Sequence, residues 1–91
     1  MKTAGQILVI SDTQQVSENF KKREFILQTD LDTPYPQEIA MELQGGHVDL
    51  LNEFSAGQHV SVDFSLRGRK HEKDGNARWF NTLVAFRLTK I

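Results

Sequence analysis

The chain has 91 residues, 38% hydrophobic and 25% charged, with a net charge of −1, which is the composition of one ordinary globular domain, 1–91, with a thin core. It contains no cysteine, which excludes disulfides, a Cys nucleophile and thiolate metal sites. No apolar run reaches the roughly 20 residues that span a bilayer, and Met1 to Gln6 lack the apolar core of a signal peptide, so the expected location is the cytoplasm.

The first strand-like run is Gln6-Ile7-Leu8-Val9-Ile10, β-branched and apolar, and the polar stretch Ser11 to Val16 extends it as a curled strand. Ser17-Glu18-Asn19 reads as a turn. Strand two covers Phe20 to Asp30, with Phe25 and Leu27 on one face. Leu31 to Pro36 is a loop, because its two prolines remove backbone donors and restrict their neighbours to extended shapes. Strand three, Glu38 to Gln44, has a clean period of two: Ile39, Met41 and Leu43 share a face.

Gly45-Gly46 breaks the strand and the period changes. His47, Leu50, Leu51 and Phe54 fall at i, i+3, i+4 and i+7, which predicts a two-turn helix over 47–54. Ser55-Ala56-Gly57 ends it. Strand four runs from Gln58 to Arg69, with Val60, Val62, Phe64 and Leu66 inward and Ser61, Asp63, Ser65 and Arg67 outward. His71 to Asn76 is a charged loop with a turn signal at Asp74-Gly75-Asn76. Strand five is Arg78 to Lys90. Phe80, Thr82, Val84, Phe86 and Leu88 share one face, and Trp79, Asn81, Leu83, Ala85 and Arg87 share the other. The expected core is Ile7, Val9, Phe25, Leu27, Ile39, Met41, Leu43, Leu50, Phe54, Val60, Val62, Phe64, Val84, Phe86 and Leu88.

Three strands, one short helix and two strands, each strand with an apolar face, need closure to hide their edges. The OB-fold closes in this way with its helix between strands three and four. The expected fold is therefore an all-β, five-stranded antiparallel OB-fold barrel.

With the elements placed, the sequence resembles the single-stranded-DNA-binding-protein type of OB-fold. The resemblance is carried by Lys21-Lys22-Arg23-Glu24-Phe25-Ile26-Leu27, the short helix around Leu50-Leu51, the strand entry Gly57-Gln58-His59-Val60-Ser61-Val62, and Arg78-Trp79-Phe80-Asn81-Thr82. It covers nearly the whole chain and is nearest to a family of short uncharacterised bacterial relatives of those binders. It implies a homo-oligomer that binds single-stranded DNA or RNA. Binders of this type carry a Gly/Gln/Pro-rich tail with an acidic end. This sequence stops at Lys90-Ile91, so recruitment of partners through such a tail is expected to be missing.

The charge distribution agrees with a polyanion ligand. Eight of the eleven Lys and Arg residues lie in two segments, Lys21-Lys22-Arg23 and Arg67, Arg69, Lys70, Lys73 and Arg78, with only two of the twelve acids among them. Binding single strands needs cations for phosphates and aromatic faces for bases. The candidate nucleic-acid-binding residues are Lys21, Lys22, Arg23, Arg67, Arg69, Lys70, Trp79 and Arg87. Trp79 is the stacking candidate, with packing under a loop or in a subunit interface as its other reading. Parity puts Arg67 and Arg87 on its face, where each either grips phosphate or pairs with a carboxylate such as Asp63 or Glu42. Phe20 is either exposed or, by preference, in the core. His47, His59 and His71 sit on different elements, and no paired carboxylates emerge. No metal site, cofactor or enzymatic activity is therefore expected. The alternative reading is a protein-interaction or structural subunit without nucleic-acid binding, in which Trp79, Leu83 and Ala85 form an oligomer interface.

Overall fold

The computed structural model describes residues Met1–Ile91. Six strands form, β1 (Lys2–Ile10), β2 (Gln14–Ser17), β3 (Phe20–Thr29), β4 (Gln37–Gln44), β5 (His59–Lys73) and β6 (Asn76–Lys90), with a 3-10 helix at Gly45–Glu53 between β4 and β5. The strand order is β1-β5-β6-β4-β3-β2, and β1 also pairs with β3. That second pairing closes a five-stranded barrel, to which β2 adds a short flap that pairs only with β3. The expected all-antiparallel arrangement is broken once: Glu42 of β4 and Val84 of β6 pair in parallel.

β1 serves two neighbours. Residues 2–6 pair with β5 and residues 6–10 with β3. At the handover Gly5 lies against the backbone of β3. A Cβ there would collide with the Gln28 carbonyl oxygen and stand 3.1 Å from Leu27 Cγ. Only glycine lets the two strands come this close.

The barrel interior holds Ile7, Phe25, Leu27, Met41, Leu43, Val60, Val62 and Phe64 as expected, with Ile39, Leu50, Phe54 and Leu88 packed around them. Two residues expected in the core are not there: Val9 is 50% exposed and Phe86 46% exposed. Both exceptions have one cause. In β1, Ile7 pairs with Leu27 and Val9 with Ile26, so Leu8 is an extra residue. In β6, Arg87 pairs with Asp63 and Ala85 with Phe64, so Phe86 is an extra residue. Each β-bulge shifts the alternation by one. Beyond the first, Ile10 turns inward in place of Val9. Beyond the second, Ala85 enters the core, expected outside, and Val84, buried as expected, stands outside the main core cluster.

The expected α-helical period is also corrected. The segment winds as a 3-10 helix, so its inward positions recur every three residues. Val48 and Leu51 are buried, Phe54 follows on the same side, and His47 is exposed.

Two stability predictions follow from this geometry. Gly5→Ala should lower the free energy of unfolding by about 1–3 kcal/mol, because the added methyl meets backbone that cannot yield; urea denaturation measures it. In the same assay Phe25→Ala, at a site with no exposure, should cost about 3–5 kcal/mol, and Phe86→Ala less than about 1 kcal/mol. Equal losses at the two phenylalanines would contradict the bulge.

Candidate nucleic-acid interface

The segment expected to be a charged loop, His71 to Asn76, is paired almost to its end. β5 and β6 stay in register from Phe64↔Ala85 out to Lys73↔Asn76. Asp74 and Gly75 alone make the turn, both with positive φ, 52° and 80°. Positive φ at both central residues is what a type I′ hairpin requires, and the twist of that turn matches that of its strands. The result is a two-stranded ribbon that leaves the barrel with both faces in water.

Directly paired residues share a face. One face of the ribbon carries Arg67, Arg69, His71 and Lys73 of β5 opposite Thr82, Phe80, Arg78 and Asn76 of β6. It has four full cations and no acid. The other face carries Leu66, Gly68, Lys70 and Glu72 opposite Leu83, Asn81, Trp79 and Ala77.

The basic face continues onto the barrel. A groove of about 510 Å³ is bounded by Phe20 and Lys22 of β3, Arg67 and Arg69 of β5, and Phe80 of β6, with Glu42 and Gln44 of β4 alongside. The Gln44 side-chain amide donates to Glu42 Oε2 at 2.7 Å, which orients the carboxylate. Phe80 also borders a second hollow of about 460 Å³ nearer the ribbon tip, with His71, Lys73 and Arg78. The two hollows form one track from the barrel to the tip.

Of the eight residues singled out by sequence, Lys22, Arg67 and Arg69 meet in this groove. Lys21 alternates to the opposite side of β3, where it pairs with Gln15. Arg23 is tied into the fold: its Nε donates to the Ser11 carbonyl at 2.8 Å, and its Nη1 donates to Asn52 Oδ1 at 2.8 Å and the Val48 carbonyl at 3.4 Å. It pins the 3-10 helix to the end of β1. Arg87 is exposed opposite Asp63, on the far side of the bulge. Lys70 and Trp79 sit together on the other ribbon face, with the ammonium 5.7 Å from the ring centroid.

The parity expectation is thus corrected. Arg67 shares its face with Phe80, not with Trp79, because the bulge at Phe86 exchanges the two faces of β6 between the barrel and the ribbon. Phe80, placed by parity on one face with Val84 and Phe86, is 52% exposed on the basic face. It is the aromatic residue that sequence reasoning missed, and Phe20 joins it. No group of three His, Asp or Glu side chains is close enough to hold a metal ion.

Residues 2–89 match a protein family described as a domain of unknown function, DUF3127. No curated protein matches the chain. Among solved structures, the mitochondrial single-stranded DNA binding protein Rim1 of S. cerevisiae superposes with a TM-score of 0.72 at 17% identity, covering 100% of this chain and 92% of its own. The small single-stranded DNA-binding protein of Streptomyces coelicolor gives a TM-score of 0.63 at 10% identity, with the same coverage of 100% and 92%. The Plasmodium falciparum SSB in complex with ssDNA gives 0.59 at 18% identity, covering 92% of this chain and 82% of that one. At these identities the likeness establishes a shared OB-fold.

The geometry separates structural from free cations, and this is measurable. Arg23→Ala should cost about 1.5–3 kcal/mol of stability through its lost charge-assisted hydrogen bonds. Lys21→Ala, which loses none, should stay within about 0.5 kcal/mol of the parent. Thermal or urea unfolding of the two variants distinguishes them.

Proposed function

The chain belongs to the DUF3127 family, and we propose that it is a binding module, not an enzyme, that holds single-stranded DNA along the track from Phe20 and Lys22 to the tip of the β5–β6 ribbon. One observation carries this reading: two aromatic rings and three cations border a single groove, the pairing of features that non-sequence-specific single-strand binding requires. Phosphates lie against Arg67 and Arg69 on the ribbon and against Lys22 on the barrel. Arg offers a planar fork that grips phosphate with two donors. Bases stack on Phe80 and Phe20. Glu42, held by Gln44, repels phosphate on its side of the groove. Three structural neighbours are single-stranded-DNA-binding proteins, one of them in complex with its ligand, which supports the reading for a chain of this fold.

We further infer that the protein works in the cytoplasm as a homo-oligomer. No helix is long and apolar enough to cross a membrane. The alternative reading, a protein-interaction subunit, is favoured by one feature, the exposed Leu66 and Trp79 on the ribbon's second face. The two readings concern opposite faces and are compatible.

Fluorescence anisotropy with labelled oligonucleotides across a salt series tests the binding. Arg67→Ala with Arg69→Ala should weaken binding and lower the slope of log affinity against log salt by about 0.7 per lost contact, about 1.4 in all. Phe80→Ala should weaken binding by about 1–3 kcal/mol with the slope unchanged, because stacking releases no counterions. An RNA oligonucleotide of the same length, used as competitor, separates DNA from RNA preference. No binding at low salt would overturn the proposal.

A further inference from the structure

The second face of the ribbon has a different composition. Leu66 is 58% exposed and Trp79 69% exposed, and on the same side the half-buried Leu83, expected to point outward, packs against the core cluster where the ribbon meets the barrel. Its only charges are Lys70 and Glu72, which neutralise each other in an ion pair of 3.7 Å. Between Leu66 and Lys70 stands Gly68, without a side chain. A Cβ built there would touch only Asn81 Oδ1, at 3.4 Å. The face therefore has an aromatic knob at Trp79 and, one step along, a notch at Gly68.

We propose that this face is a self-association surface, on which a second copy of the chain stacks its ribbon antiparallel so that each Trp79 packs over the other's Gly68–Asn81 step. That registration brings Leu83 of each copy against Ala77 of the other. Three physical arguments select a second copy as the occupant. A lone two-stranded ribbon in water is marginal at best, and burial of one face would stabilise this one. A face with no net charge offers nothing to polyphosphate, which the four cations on the opposite face attract. A two-fold contact must be self-complementary, and a knob beside a notch on a neutral face satisfies this, whereas the basic face would repel its own copy. Trp is also the residue type that most often anchors an interface when it enters a pocket.

The inference deepens the proposed function, since it assigns the adjacent residues Trp79 and Phe80 to different partners: Trp79 to a second copy, Phe80 to nucleic acid. The two basic faces of the pair then point in opposite directions. The association does not itself depend on nucleic-acid binding.

Sedimentation of the full chain across a concentration series, with Trp79 fluorescence and its quenching by iodide read in parallel, tests this. Trp79 is the sole tryptophan, so the signal is unambiguous. The expected result is a species of twice 10.4 kDa at micromolar concentration, with Trp79 shielded in the pair and freed on dilution. Trp79→Ala and, separately, Gly68→Leu should each raise the dissociation constant at least about tenfold, with far-UV circular dichroism unchanged. Per subunit, Trp79→Ala should bind a short oligonucleotide, which a single track holds, within about twofold of the parent. A monomer with freely quenched Trp79 at all concentrations overturns the proposal. So does a dimer indifferent to both substitutions, which would place the contact elsewhere. Shielding of Trp79 by oligonucleotide and not by protein concentration would return the residue to the nucleic-acid site. Failure of the parent to bind oligonucleotide would sink the proposed function and leave the sedimentation result standing.

Discussion

The close approach of β1 to β3 at Gly5 is the contact on which the rest of the molecule depends. A strand that hydrogen-bonds β5 on one edge and β3 on the other must change partners within a residue or two, and Gln6 pairs with both His59 and Gln28. At that point two backbones lie closer than any side chain allows. The bulge at Leu8 follows at once and adds the bend that carries β1 around the barrel. Closure joins the barrel strands into a ring, leaving free edges only at β2 and the ribbon, and surrounds a core of only eleven buried residues, too few to hold an open sheet of this size. It also clamps the lower halves of β5 and β6, and that clamp aims the projecting ribbon.

The same features decide what could be read from the sequence. The strands themselves were legible because each has an apolar face: Ile39, Met41 and Leu43 in β4, and Val60, Val62 and Phe64 in β5. The break after Gln44 was legible as a change of period, but not its kind. A three-residue repeat through Val48, Leu51 and Phe54 competes with the four-residue spacing that Leu50 and Phe54 offer, and packing against the barrel selects the tighter winding. The bulges were not legible. An extra residue in a strand has no compositional mark, and Phe86 is as apolar as the core positions around it. One unseen slip there was enough to interchange Trp79 and Phe80. Of the candidate site, Lys22, Arg67 and Arg69 could be found from clustering alone. The role of Arg23 could not, because its acceptors, the carbonyls of Ser11 and Val48 and the amide of Asn52, come from segments far away in sequence.

The length of the ribbon was hidden for a related reason. Asp74-Gly75 marks the turn, but hydrophobic alternation registers a strand only where one face meets a core. From Arg67 outward neither face does, so the strands read as ending near Arg69 and Arg78, with His71 to Asn76 as a loop between them. What they encode instead is a difference between two solvent faces: cations and Phe80 on one, Trp79 and Leu66 on the other. The edges of a free ribbon invite pairing with other chains. Arg67, Arg69, Lys70, Lys73 and Arg78 oppose this, since charged side chains on an edge discourage strand addition. The charge that suits a polyanion thus also keeps the ribbon from aggregating.

In the proposed arrangement, one track of two aromatic rings and a handful of cations gives only modest affinity. Each phosphate contact is weakened by salt, and only two bases find a ring to stack on. Two copies joined through their Trp79 faces would present two such tracks on opposite sides of one particle. A short strand occupies one of them. A strand long enough to pass around the ribbons reaches both, and its second contact is made at the effective concentration set by the connecting nucleotides. Affinity should then rise steeply once the strand can span both tracks. A second track adds phosphate contacts, so the salt dependence should steepen over the same range of lengths. Ligand length, more than base sequence, becomes the variable to which such a particle responds.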